Sequence, residues 1–166
     1  MNAIVAVDNF WGIGKDNDLL FYIPKDMKFF RQTTLNKIVV MGKNTWLSFP
    51  DSKPLKNRTN IVLSTTIPNR DDCIVVNTMD QLKQLLKTYP TQDIFVIGGA
   101  MVYKTMLEYC DTAYVTKVNA NGNAQVFFPN LDEMNEWSMV EAQDPIMDGE
   151  TQITFCTYKN SNPKPL

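Results

Sequence analysis

The sequence predicts an α/β fold with a mostly parallel central sheet. Short runs of apolar, β-branched residues recur along the chain, and stretches with helical spacing separate them. The central runs, KIVVM, NIVLS and IFVI, are continuously apolar, which is typical of strands covered on both faces. The last two runs have no helix between them, which predicts an antiparallel hairpin at one edge of the sheet.

About eight strands are predicted, in an order that alternates with about four flanking helices. The strands are Ala3–Val7, Lys37–Met41, Thr59–Ser64, Cys73–Val76, Ile94–Ile97, Thr112–Val118, Ser138–Ala142 and Gln152–Tyr158. The first helix begins at Pro24, which suits a first helical turn, and a short second helix follows Gly42. Thr78 opens a capping-box pattern before the third helix, and the Gly98-Gly99 pair opens the fourth.

Length and composition predict one domain, residues 1–166, with no linker and no internal repeat. The net charge of −2 argues against a general affinity for nucleic acid or an anionic membrane. The apolar run at the N-terminus is too short for a signal peptide, and no stretch approaches the length of a membrane span. The three widely separated cysteines lack metal-ligand spacing, so we expect reduced thiols and a cytoplasmic protein.

The absence of histidine narrows the chemistry. It excludes hydrolases that use a histidine base and most zinc enzymes, and we expect no metal site. Acid–base chemistry near neutral pH must then use a carboxylate, a lysine, a tyrosine or water.

Glycines stand where predicted strands run into helices or turns, in VVMG-KNTW, FVIGG-AMVY and GIGKDN. The N-terminus of a helix presents unpaired N–H groups that suit a phosphate, and glycine lets the backbone approach a ligand closely. These segments match neither the GxGxxG nor the Walker pattern, so a standard Rossmann or P-loop site is not predicted. The alternative is that the glycines only make tight turns.

Asp26 is the candidate acid. A carboxylate in a first helical turn often serves only the helix dipole, for about 0.3–1 kcal/mol. Here Phe29 and Phe30 follow three and four residues later, so the acid shares a helical face with aromatic rings. An acid on an apolar wall has a raised pKa and can bind a protonated heterocycle.

Basic residues also lie beside the glycine and proline turns. Most such residues are solvated surface charges. Arginine is nevertheless the natural planar partner of a carboxylate, which points to Arg58, and lysine suits a phosphate, which points to Lys43 and Lys53.

Five segments together resemble the bacterial-type, single-domain dihydrofolate reductases. They are GIGKDNDLLFYIPKDMKFFRQTTL, KIVVMGKNTWLSF, PLKNRTNIVLS, IFVIGGAMVY and the FFP at 127–129. The segments occur in the family's order and span most of the chain. The resemblance implies NADPH-dependent reduction of 7,8-dihydrofolate to tetrahydrofolate by a monomer. Hydride would go to pterin C6, and Asp26 would assist protonation at N5.

The resemblance also assigns site residues. Asp26 would hydrogen-bond the pterin, with support from Thr116, and Arg58 would clamp the α-carboxylate of the glutamate tail. The substrate site would comprise Ile4, Val5, Phe21, Met27, Phe30, Phe49, Leu55, Arg58, Ile97 and Thr116. The NADPH site would comprise Ala6, Ile13, Gly14, Asn17, Leu19, Gly42, Lys43, Asn44, Thr45, Leu63, Ser64, Thr65, Gly98, Gly99, Ala100, Met101, Val102 and Tyr103. Within that set, Lys43, Ser64 and Thr65 would meet the 2′-phosphate.

The chain departs from the family pattern at a few positions. Leu20 and Phe21 replace a frequent Pro-Trp pair, Gln125 stands where an acidic residue is common, and Met101 replaces an arginine of some members. Two alternatives stay open. One is an NADPH-dependent pyrimidine reductase of flavin biosynthesis, which would share the glycine segments and the cofactor. The other is a catalytically silent nucleotide- or folate-binding protein, which only the departures at Leu20, Phe21 and Gln125 favour.

Overall fold

The computed structural model describes residues 1–166, with twelve strands and four α-helices. In chain order these are β1 Asn2–Val7, β2 Gly12–Lys15, β3 Asp18–Leu19, α1 Pro24–Thr34, β4 Ile38–Gly42, α2 Lys43–Ser48, β5 Thr59–Leu63, β6 Ile74–Val76, α3 Met79–Leu86, β7 Ile94–Gly98, α4 Ala100–Met106, β8 Thr112–Val118, β9 Val126–Phe127, β10 Trp137–Ala142, β11 Ile146–Asp148 and β12 Thr151–Asn160. None of the helices has the length and apolarity needed to cross a membrane.

The main sheet has the order β10-β12-β8-β1-β7-β4-β5-β6, with β11 paired to β12. The strands from β8 to β6 are parallel, whereas β12 runs antiparallel to both β8 and β10. The predicted α/β fold with a mostly parallel sheet is confirmed, and all eight predicted strands are present with bounds within two residues. The C-terminal pair differs in one respect, because β11 forms within the connection between β10 and β12.

Side chains from alternate strand positions pack on opposite faces of the main sheet, as the period of two requires. One face carries α3 and α4 over the largest apolar cluster, to which Val5 and Val115 belong. On the other face, Trp46 of α2 packs against β4 and β5, and the Phe29 ring of α1 lies 4.6 Å from that of Phe155. Helices therefore cover both faces, which explains the continuous apolar runs.

A second, small sheet was not predicted. It has the order β3-β2-β9, with Gly12 opposite Phe127 and Gly14 opposite Leu19. The sheet joins the segment before α1 to the segment after β8. This places residues 12–19 beside the ends of the parallel strands.

Candidate active site

The site begins where two neighbouring parallel strands separate. The ladder between β1 and β7 pairs Asn2 with Phe95 and Ala3 with Val96, and it continues no further. The later residues of each strand are therefore not joined by backbone hydrogen bonds. The Ile4 carbonyl instead accepts a 2.7 Å hydrogen bond from the buried Tyr103 hydroxyl. The sheet thus offers an opening in its middle, at the carboxyl ends of its parallel strands.

Asp26 lies in the first turn of α1, after the buried Ile23. Thr116 of β8, 2% exposed, donates a 2.7 Å hydrogen bond from Oγ1 to Asp26 Oδ1. Burial raises the pKa of the Asp26 carboxyl above its ordinary value, and the Thr116 hydrogen bond partly opposes that rise. The carboxyl group is consequently disposed to hold a proton closer to neutral pH than a surface aspartate.

Tyr103 extends from α4, on the other side of the sheet, to the Ile4 carbonyl at the opening. Its hydroxyl is buried, and its pKa is raised by burial and by the negative charge of Asp26. Tyr103 thereby remains neutral and serves as a hydrogen-bond donor to Ile4. The family resemblance places Tyr103 among the cofactor residues and does not predict this bond across the opening.

An apolar wall continues from Asp26 along α1. Met27 and Phe30 are half-buried, and the Arg58 guanidinium lies 6.0 Å from the centre of the Phe30 ring. Arg58 forms no ion pair, and its Nε is buried without a hydrogen-bond partner. Burial and the charge of Arg31 both lower the pKa of Arg58. A guanidinium with an unmet donor beside an apolar wall fits the carboxylate of an aromatic ligand.

Three other predicted substrate residues, Phe49, Leu55 and Ile97, pack against the cluster formed by α2, β4 and β5. Asn60, which was not predicted as a site residue, holds the backbone of Leu55. Its buried side chain accepts a 3.0 Å hydrogen bond from the Leu55 N–H. It donates to the carbonyls of Leu55 and Arg58, at 2.9 and 3.1 Å. An asparagine inside an apolar strand run was the available signal.

Two predicted substrate residues point away from the Asp26 carboxyl or pack elsewhere. The Val5 side chain belongs to the cluster under α3 and α4, so only its backbone borders the opening. Phe21 packs against Ile23 and Val118 and lies close to Gly122. The substrate contacts assigned to both residues stay predictions.

The predicted cofactor residues gather at the ends of the neighbouring strands β4 and β7. A Cβ built on Gly98, whose φ is +136°, would come within 2.9 Å of Thr45 Oγ1. A Cβ on Gly42 would come within 3.1 Å of Val102 Cγ2. Glycine is therefore required at Gly98, and a side chain at Gly42 would crowd Val102, so the starts of α2 and α4 approach each other closely.

The remaining residues of this group flank the two helix starts. Lys43, Asn44 and Met101 are exposed, whereas Gly99 and Ala100 are half-buried. Leu63 is the last residue of the neighbouring strand β5, and Thr65 lies two residues further on. The Ser64 hydroxyl is engaged in its own turn, where it accepts hydrogen bonds from the N–H groups of Thr66 and Ile67. Of the groups predicted to bind the 2′-phosphate, the side chains of Lys43 and Thr65 are exposed, and Ser64 could contribute only as a donor through its hydroxyl hydrogen.

The small sheet and its turn carry most of the remaining predicted cofactor residues. Ile13 and Gly14 are half-buried in β2, whereas Asn17 and Leu19 are exposed, Leu19 by 63%. Ala6, also half-buried, lies on β1 of the main sheet. Their role at a nicotinamide ring stays a prediction.

Gln125 holds the tip of this sheet. The Asp16 N–H donates to Gln125 Oε1 at 3.0 Å, and Gln125 Nε2 donates to Asp16 Oδ1 at 3.4 Å. The Gln125 N–H also donates to the Gly14 carbonyl at 2.9 Å. The amide thus makes contacts of its own where the family commonly has an acid.

These residues fit a dinucleotide. Bare glycine backbone meets two helix starts, lysine and threonine side chains flank them, and the opening between β1 and β7 leads to Asp26. Fold and site together define an α/β reductase of the kind that uses a nicotinamide cofactor on a flat heterocycle.

Comparison with known proteins identifies the family. The family model described as dihydrofolate reductase matches residues 1–160. The chain is 34% identical over 156 residues to the dihydrofolate reductase of Buchnera aphidicola subsp. Schizaphis graminum, covering 94% of this chain and 95% of that one. It is 32% identical over 166 residues to that of Bacillus subtilis, covering 98% and 95%. It is 33% identical over 170 residues to dihydrofolate reductase type 9 of Escherichia coli, covering 98% and 94%.

The chain belongs to the dihydrofolate reductase family. The activity and the cofactor expected from the sequence, NADPH-dependent reduction of dihydrofolate, are those of the family, and both expectations are confirmed. The roles of individual site residues stay predictions.

Proposed function

We propose that the chain reduces 7,8-dihydrofolate to 5,6,7,8-tetrahydrofolate, with Asp26 as the residue that binds the pterin and promotes its protonation. The observation that carries the role of Asp26 is its placement. It is the half-buried acid on the apolar face of α1, held by Thr116 at the opening between β1 and β7. NADPH, when bound, supplies the hydride that is transferred to pterin C6.

Asp26 accepts hydrogen bonds from the pterin's 2-amino group and ring nitrogen, and its charge favours a protonated pterin ring. A water molecule delivers the proton to N5, since the chain has no histidine to do so. Thr116 keeps the carboxyl in the orientation that this contact needs. Met27 and Phe30 form the apolar wall against the ring, and the Arg58 guanidinium binds the α-carboxylate of the glutamate tail.

The glycine backbone at the ends of β4 and β7, with Thr45, holds the diphosphate of the cofactor. Lys43, exposed at the start of α2, binds the 2′-phosphate, and this contact favours NADPH over NADH. The residues of the small sheet border the nicotinamide.

We also propose that residues 1–166 form one domain that acts as a cytoplasmic monomer without affinity for nucleic acid. The three cysteines are buried and unpaired, which suits a reducing compartment. The net charge of −2 disfavours binding to phosphate backbones.

The test of the proposed activity follows NADPH oxidation by the purified protein with dihydrofolate as substrate. Asp26→Asn should lower the rate at neutral pH by about 100-fold or more, because a positioned acid–base group typically contributes that much. The rate should partly recover in acid, where solvent protonates the substrate. A neutral-pH rate equal to that of the wild type would remove Asp26 from the mechanism.

Asp80 offers a matched control for this substitution. It also lies in the first turn of a helix, α3, but is exposed. Asp80→Asn should leave the rate unchanged at every pH.

A further inference from the structure

Helix α1, which carries Asp26, begins without an N-terminal cap of its own. The residue at its N-cap position is Ile23, whose side chain has no hydrogen-bond acceptor. The first N–H groups of a helix have no partner inside it and need one elsewhere. In α3 the Thr78 side chain meets this need by accepting a hydrogen bond from the Gln81 N–H.

The missing cap of α1 comes from the opposite end of the chain. The Lys25 N–H donates a 2.8 Å hydrogen bond to Asp148 Oδ2 at the end of β11. Lys25 Nζ donates a second hydrogen bond, of 2.6 Å, to the carbonyl of the neighbouring Met147. A carboxylate at a first helical turn satisfies an unpaired donor and also interacts favourably with the helix dipole.

The hairpin of β11 and β12 is built to present this carboxylate. Asp148 pairs with Thr151 across a two-residue turn, in which Gly149 has a φ of +60°. Glycine at the first central position of such a turn allows the backbone twist that a hairpin needs. On the same hairpin, Ile146 packs against the cluster that contains Ile23. The hairpin therefore contacts the start of α1 through both an apolar and a polar contact.

We propose that Asp148 is a positioning residue for the reaction: it holds the first turn of α1, and thereby Asp26, in the orientation that meets the pterin. Lys25, which Asp148 binds, directly precedes Asp26 in the chain. Small displacements of a reacting group reduce rates strongly, so a loose first turn lowers turnover even when the helix remains folded. This inference rests on the proposed role of Asp26.

The experiment compares Asp148→Ala, Asp148→Asn and the control Glu150→Gln. Glu150 lies in the same turn, is exposed and forms no side-chain hydrogen bond, so its substitution removes an equal charge only. The measurements are hydrogen exchange of the Lys25 amide by NMR, and kcat and KM for both substrates.

Asp148→Ala should speed Lys25 exchange about five- to tenfold, since a lost cap typically costs about 1 kcal/mol. It should lower kcat about three- to tenfold and leave the KM for NADPH unchanged. Asp148→Asn keeps an acceptor and should restore most of both quantities, to within about twofold of the wild type. Glu150→Gln should match the wild type.

Faster exchange in Asp148→Ala without a loss of kcat would overturn the inference, as would an equal loss in Glu150→Gln. Should Asp148→Ala fail to fold, Asp148→Asn decides: any loss of kcat in that variant should come with faster Lys25 exchange, and a loss beyond about twofold with the exchange rate at the wild-type value would overturn the inference as well. If the wild type did not oxidise NADPH with dihydrofolate, the proposed function would fail instead.

Discussion

At the scale of single residues, Arg58 is distinguished by the absence of an anionic partner within the chain. Its guanidinium has no ion-pair partner in the chain, and its Nε is buried without an acceptor. A buried donor without a partner costs about 1–3 kcal/mol, which a bound carboxylate would recover. The Phe30 ring, 6.0 Å from the guanidinium, lies on the same helix as Asp26 and offers an apolar surface between the two charged groups.

Arg58→Leu should therefore raise the KM for dihydrofolate far more than the KM for a pterin without the glutamate tail. The expected increase for dihydrofolate is about tenfold or more, because charge-assisted hydrogen bonds contribute about 1.5–3 kcal/mol. Initial rates with both substrates measure it. Equal increases for the two substrates would show that Arg58 does not bind the carboxylate.

The Asp26 carboxylate should lower the stability of the folded protein at neutral pH, although the proposed activity requires it. Its pKa is raised in the folded protein, mainly by burial, so the folded state binds more protons than the unfolded state between the two pKa values. Stability is consequently lost as pH rises from roughly 4, the unfolded value, through the folded value. An uncharged asparagine avoids this loss.

Asp26→Asn should therefore raise the Tm above that of the wild type by a few degrees at pH 7, and the difference should disappear near pH 4. Melting curves across this pH range measure it. Asp80→Asn should show no such gain, because Asp80 is exposed. A wild type that is more stable than Asp26→Asn at pH 7 would contradict the argument.

Local sequence patterns predict the site residues unevenly. The helical face of Asp26 predicts its role, whereas only the family resemblance predicts its bond to Thr116, 90 residues away. The bond from Tyr103 to Ile4 and the contacts of Asn60 were not expected at all. Such bonds depend on tertiary placement, which local patterns do not encode.

At the scale of elements, the predicted strands are those that contain an apolar run of their own. Seven of the eight bury side chains in the main sheet, whereas residues 138–142 of β10 are exposed. The strands β2, β3, β9 and β11 have two to four residues and exist through their pairing partners. Only the last had a local signal, the Asp148-Gly149 pair typical of a hairpin turn.

Among these short elements, the small sheet depends on Gln125. Gln125→Leu has a similar volume but removes both side-chain hydrogen bonds to Asp16. At about 0.5–1.5 kcal/mol for each of the two bonds, the loss should weaken NADPH binding by about fivefold or more, because we propose that residues 13–19 border the cofactor. Fluorescence titration with NADPH measures it.

Gln143→Leu is the matched control, because Gln143 is exposed and its side chain forms no hydrogen bond. Its NADPH affinity should equal that of the wild type. Equal affinities in both variants would mean that the contact between Gln125 and Asp16 does not hold the loop against the cofactor.

At the scale of the whole molecule, the sheet leaves little for a second copy to bind. Helices of the same chain cover both faces of the parallel strands, and the largest apolar cluster includes residues from nearly every strand of the main sheet. Residues 138–142 of the edge strand β10 are exposed. The two edge strands are also poor templates for pairing. Strand β6 has only three residues, and β10 has an irregularity between Met139 and Glu141.

The chain should therefore fold and act as a monomer. Light scattering should give a molar mass near 19.0 kDa, and the Tm should stay constant when the protein concentration changes 100-fold. For an obligate dimer the Tm would rise with concentration, because dissociation accompanies unfolding. A doubled mass together with such a rise would show that β10 or another exposed surface pairs between copies, and that the sheet described within one chain continues into a second.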